Sequence, residues 1–294
     1  MANYILMFKK STNKDKTKNM NNLEAYKMDG LGNDFIIFDK RKKSISLTTD
    51  QIIKISDRNN IGCDQVIFIN KDENSNAFLK FYNSDGGEIS ACGNGSRCVA
   101  YLLMKENNDN KISLKTKAGT LKATLNEKNL VGINMGQPNF KWDKIPLLKE
   151  MDYKNLKIKI NNNDGNEVVG GFALSMGNPH LVFFVENFNQ FNLEEIGPKL
   201  ENHIYFPEKC NVTLASIKNK KHIKIKVWER GAGLTKACGT AACAALASGA
   251  VLKLIERCAD IEFSEGSLNI DWKKDNNIYM TGKVSKVKKI MVNI

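Results

Sequence analysis

The chain has 294 residues, 42% of them hydrophobic and 26% charged, with 5 prolines. That composition excludes collagen-like, mucin-like and wholly disordered proteins and suffices for a buried core without disulfide or metal staples. Its 44 basic and 32 acidic residues leave a net charge of +12, but the basic residues are mostly scattered lysines without interleaved aromatics, which argues against a nucleic-acid partner.

Taken in chain order, residues 1–22 form a Lys-rich extension, read either as a disordered tail or as sequence ahead of a start at Met20. Phe35–Phe38, Val66–Ile69 and Phe78–Tyr82 read as strands, because β-branched and aromatic runs end there in turn residues. Asp85-Gly86-Gly87 is a turn, and beyond Cys92-Gly93 the pattern becomes helical, with Val99, Leu102 and Leu103 on one face. Ile112–Lys115, Leu121–Leu125 and Val131–Asn134 read as further strands. Gly231-Ala232-Gly233 is a second turn, and a second helix follows Cys238-Gly239, with Ala244, Ala247, Val251, Leu254 and Ile255 at helical spacing. Ala237–Leu252 is the nearest approach to a membrane span, but it consists mainly of small residues and is closed by Lys253 and Glu256, so no span is expected. Residues 283–294 alternate like a strand that could return to the first half of the chain.

The two turn–Cys-Gly–helix passages are copies of one unit. Residues 81–94 align without a gap over residues 227–240 at an offset of 146, matching an aromatic, a glycine and Ala-Cys-Gly. Gly32-Asn33 matches Gly177-Asn178 at 145, and Gln65 falls opposite Asn211 at 146. Three matches in register at half the chain length predict an α+β fold of two pseudo-symmetric domains, with a cleft between them. The first spans residues 23–137 plus 283–294 and the second residues 138–282.

The duplicated cysteines carry the chemistry. Cys92 and Cys238 each sit just ahead of a helix, where backbone N–H groups lack internal partners and carry partial positive charge. A thiol there is expected to ionise easily, and the same N–H groups can hold a carboxylate. Two such thiols facing across a cleft can remove a proton from one face of a carbon and return one to the other, the geometry of stereoinversion. No Gly-rich phosphate loop or Schiff-base context signals an electron-sink cofactor. The other cysteines read differently: Cys98 and Cys243 as helix packing, Cys63 and Cys258 as structural. An odd count of seven, wide spacing and no secretory signal fit reduced thiols and a cytoplasmic location; neither CxxC nor HxxxH occurs, so no metal site is expected.

At these residues the sequence resembles the diaminopimelate epimerases. The resemblance runs from Leu23 onward through Gly30-Leu31-Gly32-Asn33-Asp34-Phe35, Asp64-Gln65, Tyr82-Asn83-Ser84-Asp85-Gly86, Ala91-Cys92-Gly93-Asn94-Gly95, Gly177-Asn178-Pro179-His180, Asn211-Val212, Glu229-Arg230-Gly231 and Ala237-Cys238-Gly239-Thr240. It implies domains in which mixed strands wrap a central helix, a cofactor-independent interconversion of LL- and meso-2,6-diaminopimelate for lysine and peptidoglycan precursors, and a homodimer. It makes Cys92 and Cys238 the opposed base and acid, with backbone groups at Gly93-Asn94 and Gly239-Thr240 on the reacting α-carboxylate. Asn33, Gln65, Asn83, Asn178, Asn211 and Arg230 would line the substrate pocket, Glu229 would meet the distal ammonium, and His180 and Glu229 would tune the thiols. Arg230 suits a distal carboxylate because its planar fork binds bidentately. Asp29, Cys63 and Ala241 stand where the family has His, Ala and Gly. A proline or hydroxyproline racemase is the nearest alternative, although a monocarboxylate would leave the Asn and Arg set idle; a thiol-redox protein is a more distant one.

Overall fold

The computed structural model describes residues 22–126, 128 and 130–293. The expected N-terminal extension lies outside these residues except for Asn22, which already belongs to the first strand. The first half runs β1 (Asn22–Gly30), β2 (Asn33–Asp39), α1 (Thr49–Ser56), β3 (Gln65–Asn70), β4 (Ala77–Asn83), β5 (Glu88–Ile89), α2 (Gly93–Asn107), β6 (Lys111–Thr116), β7 (Gly119–Leu125) and β8 (Val131–Asn134). A short hairpin follows, β9 (Ile158–Asn161) with β10 (Glu167–Gly170). The second half runs β11 (Phe172–Ser175), β12 (Pro179–Phe184), α3 (Leu193–Glu201), β13 (Asn211–Asn219), β14 (His222–Glu229), β15 (Gly233–Thr235), α4 (Gly239–Val251), β16 (Cys258–Phe263), β17 (Gly266–Trp272) and β18 (Ile278–Gly282). The chain closes with β19 (Lys288–Asn293), which pairs antiparallel with β1.

The two halves repeat one another strand for strand. β2 runs parallel to β3 with Phe35 opposite Gln65, and β12 runs parallel to β13 with His180 opposite Asn211. The crossovers β4–β6 and β14–β16 are both parallel and flank α2 and α4 respectively. β8 and β18 pair with each other, Asn134 opposite Tyr279, so seventeen strands form one continuous hydrogen-bonded sheet across both halves.

Each half wraps its strands around its helix because α4 and the first two turns of α2 have no outward face, while the end of α2, from Lys105 to Asn107, reaches the surface. Along α4, Ala241 to Gly249 are all buried; side chains this small let the strands approach on every side, and a helix apolar all round must be enclosed. Around α2 the core includes Phe35, Ile67, Phe81, Cys98, Val99 and Leu103. Gly95 fits closely there: an added Cβ would sit 2.7 Å from Ile67 Cδ1 and 3.1 Å from Phe81 Cε1, so these side chains would have to shift. The strands expected from the sequence all form, and both helices begin at the glycine after the cysteine. Cys63, Cys98 and Cys243 are buried as expected, whereas Cys258 is exposed on β16. Among the described residues from 283 to 293, Lys288–Asn293 is strand; the segment before it is tied to β1, with Ser285 N–H donating to the Asp29 carbonyl at 2.8 Å. Among the described residues no helix is long and apolar enough to cross a membrane.

Candidate active site

Cys92 and Cys238 are the N-cap residues of α2 and α4, both in extended conformation. The Cys92 thiol accepts the Gly95 N–H at 3.4 Å and donates to Asn33 Oδ1 at 3.7 Å. The Cys238 sulfur lies 3.5 Å from Thr240 Oγ1. α2 and α4 touch at the junction of the halves. One methionine joins their starts: a Cβ on Gly93 would lie 3.0 Å from Met280 Cε, and a Cβ on Gly239 would lie 2.8 Å from Met280 Sδ. Asn94 crosses the same junction, its Nδ2 donating to the carbonyl of Ala237, the residue before Cys238, at 3.4 Å.

The expectation that these thiols ionise easily is corrected by their environment. Burial pushes the Cys92 thiol up to about 11; the Gly95 N–H pulls it down by less, and the charge of Glu229 adds to the rise. Cys238 is pushed up by burial first and then by the neighbouring Glu229 carboxylate. A helix start favours a thiolate only while water or a countercharge helps to solvate it, and here removal from water is the larger effect.

The remaining expected residues fall into two groups. In the first half, Asn33 Nδ2 donates to Asp64 Oδ2 at 3.0 Å, and Gln65 Nε2 donates to Asn83 Oδ1 at 3.0 Å. In the second, Asn178 Oδ1 meets His180 Nε2 at 3.0 Å, and Asn211 Oδ1 accepts the Arg230 N–H at 2.8 Å. His180 is fully buried and its Nδ1 has no partner; burial, with Arg230 nearby, lowers its pKa to about 3, so the ring is neutral. Pairing of Nε2 with an amide oxygen assigns the proton to Nε2. Arg230 itself is exposed, its Nη1 donating to the Glu208 carbonyl at 2.8 Å.

Glu229 lies at the thiol end of this group. Its Oε1 accepts from Thr235 Oγ1 at 2.6 Å, and burial raises its pKa. That place suits the thiol-tuning role expected of it; a substrate ammonium paired with Glu229 would also have to approach Cys238.

Asp64, Thr235, Met280 and Glu201 were absent from the expected set. Glu201 is a buried carboxylate that accepts Trp228 Nε1–H at 2.7 Å and Gly231 N–H at 3.0 Å, so it fixes the turn that carries Arg230. Asp64 adjoins Gln65 in the sequence, whereas nothing local to Glu201 or Met280 marks them.

A family model described as diaminopimelate epimerase matches residues 25–141 and 172–287, leaving out the β9–β10 hairpin. The chain is 51% identical over 272 residues to a protein of Pelagibacter ubique (strain HTCC1062) named diaminopimelate epimerase, covering 92% of this chain and 99% of the relative. It is 41% identical over 262 residues to one of Acidiphilium cryptum (strain JF-5) with the same name, covering 89% and 93%. Among solved structures, a PhzF-family phenazine biosynthesis protein of Bacillus anthracis superposes with a TM-score of 0.62 at 18% identity, over 94% of this chain and 100% of the other. A hydroxyproline epimerase of Agrobacterium vitis superposes with a TM-score of 0.65 at 12% identity, over 93% of each chain. The fold is therefore the one these proteins share, and the chain belongs to the diaminopimelate epimerase family.

Proposed function

We propose that this protein interconverts LL- and meso-2,6-diaminopimelate by moving a proton between two cysteines at the α-carbon, without a cofactor. The observation that carries the reading is the approach of two cysteine-capped helix starts where the halves join, both packed against Met280. A thiolate on one face takes the α-proton as the C–H bond breaks. The thiol on the opposite face releases its proton to the carbon, and the two sulfurs exchange protonation states. Negative charge developing on the α-carboxylate is held by the backbone N–H groups at Gly93-Asn94 and Gly239-Thr240, which lie at the helix starts and are fixed in place before the reaction. Since burial holds both thiols protonated near neutral pH, the reactive form is one deprotonation away, and kcat/KM rises with pH on the alkaline side.

At the distal end, Arg230 would bind the second carboxylate, with Asn33, Gln65, Asn83, Asn178 and Asn211 lining the pocket and His180 and Glu229 tuning the thiols. Domain limits of 23–137 plus 283–294 and 138–282 are supported by the return of β19 to β1. A homodimer in the cytoplasm, serving lysine and peptidoglycan precursor synthesis, completes the reading. The test is incubation of the purified protein with LL-diaminopimelate and no added cofactor, followed by chiral chromatography. The expected result is approach to a mixture with the meso isomer; an unchanged LL isomer would refute it.

A further inference from the structure

Arg97 stands at the fifth position of α2, and at the 146-residue offset its counterpart in α4 is Cys243. A cation thus stands in one helix where the other has a small thiol. The Arg97 side chain is fully buried, and among the described residues no carboxylate pairs with it. Nη2 donates to Asn94 Oδ1 at 2.8 Å, Nη1 donates to the Lys283 carbonyl at 3.2 Å, and Nε is buried without a partner. A cation so poorly compensated opposes folding unless its fork does something a small apolar residue cannot.

Both arms of the fork end where the halves meet. Lys283 follows β18 and begins the segment that leads back to β19 beside β1. Asn94, held by the other arm, reaches across to the Ala237 carbonyl, one residue before Cys238. The chain leaves room for the guanidinium with glycine on two sides: a Cβ on Gly282 would overlap it, and one on Gly30 would lie 3.5 Å from Nη2. Thr240, the counterpart of Asn94, stays within its own half beside Cys238.

We infer that Arg97 is a positioning residue, a buried strut that acts through Asn94 to fix the start of α2 against the residue before Cys238 and so sets where the two thiols stand about the reacting carbon. This rests on the two-cysteine reading above. It requires the planar fork as well as the charge, because one arm holds Asn94 and the other holds the returning chain. Lysine, a single point of charge, cannot hold both in this geometry.

Arg97→Lys and Asn94→Ala cut the same link from its two ends, and Asn94→Ala leaves the buried cation in place. Each is compared with the wild type by steady-state kinetics well below its melting midpoint, and by the rate at which diamide, accepting two electrons and two protons, joins Cys92 to Cys238 in the substrate-free protein. The expected result is a fall in kcat of about 10- to 100-fold, the size known for small misplacements of reacting groups. KM should stay within about threefold, since Arg230 and its neighbours are untouched, and crosslinking should slow. Wild-type kcat and crosslinking in both folded variants would overturn the inference. So would a loss that vanishes once the assay is run far enough below the midpoint, which would make Arg97 packing only, or a rise in KM alone. If the wild type fails to epimerise its substrate, the reading of the site falls, and the crosslinking rates by themselves decide for or against the strut.

Discussion

Glu229 and Asn83 occupy equivalent positions in the two halves, at the ends of β14 and β4, yet one is a carboxylate beside a thiol and the other a neutral amide held by Gln65. The two otherwise similar cysteine sites therefore differ in charge. Glu229 raises the thiol pKa at both Cys238 and Cys92. Replacing Glu229 by Gln removes that charge and favours the thiolates, so the alkaline rise of kcat/KM should move to lower pH. Rates measured from pH 6 to 10 check this; a limb unmoved or shifted upward would show that Glu229 does not govern thiol ionisation.

Each thiol should be indispensable. Cys92→Ala and Cys238→Ala keep the helices, because the backbone carbonyls that accept the Ser96 and Ala242 N–H groups remain, but each removes one proton carrier. Epimerisation should fall by about 10²–10⁴-fold or more in each, the range of positioned acid–base groups. Chiral assays with circular dichroism as a folding control read the outcome, and activity near wild type in either variant would exclude the pair.

Glu201 holds the turn that carries Arg230, the residue proposed for the distal carboxylate. Its two oxygens hold Trp228 and Gly231 on either side of Arg230. Glu201→Ala frees that turn, and hydrogen bonds to a charged group contribute about 1.5–3 kcal/mol each. KM should rise roughly tenfold with kcat less affected, which would mark lost binding common to ground and transition states. A fall in kcat at constant KM would place Glu201 with the chemistry instead.

His180 makes the fold acid-sensitive. Its pKa is lowered from about 6.5 in the unfolded chain to about 3 in the fold, so between those values the unfolded state binds a proton that the native state refuses. Stability is then fully present above about pH 6.5 and is lost as pH falls toward about 3, at up to about 1.4 kcal/mol per pH unit. Urea titrations of the wild type and His180→Gln across pH 7 to 4 test it: the variant should lose less stability on acidification, and equal slopes would contradict the account.

How much of this could be read from the residues depends on the range of the interaction. The starts of α2 and α4 were legible because a glycine turn, a capping residue and the onset of helical spacing are all local. The end of α4 was not. Leu254 and Ile255 keep the helical spacing, but the helix stops at Val251. Lys253 turns left-handed at φ 59°, Lys253 N–H bonds the Ala250 carbonyl and Leu254 N–H the Gly249 carbonyl, and Ile255 folds back onto Gly249. This is a Schellman closure without its usual glycine, so spacing alone ran past it. The repetition of the two halves was legible, since Gly32-Asn33 and Gly177-Asn178 lead into β2 and β12 and Gln65 and Asn211 open β3 and β13, whereas the strand pairings were not. The direction of the thiol shifts was not, because burial depends on the strands that close around each helix. Arg97 and Glu201 stayed hidden for a related reason: Lys283, which Arg97 holds, and Trp228 and Gly231, which Glu201 holds, lie far along the chain.

Isotope exchange during turnover tests the two-cysteine claim most directly. LL-diaminopimelate is incubated in deuterated water and sampled at low conversion, and the label at the inverted carbon is measured separately in the remaining LL isomer and in the meso product. Opposed thiols predict solvent deuterium in the meso product from the first turnover, with the recovered LL isomer initially unlabelled. Meso product that keeps its original hydrogen, or label entering both isomers together from the outset, would contradict it.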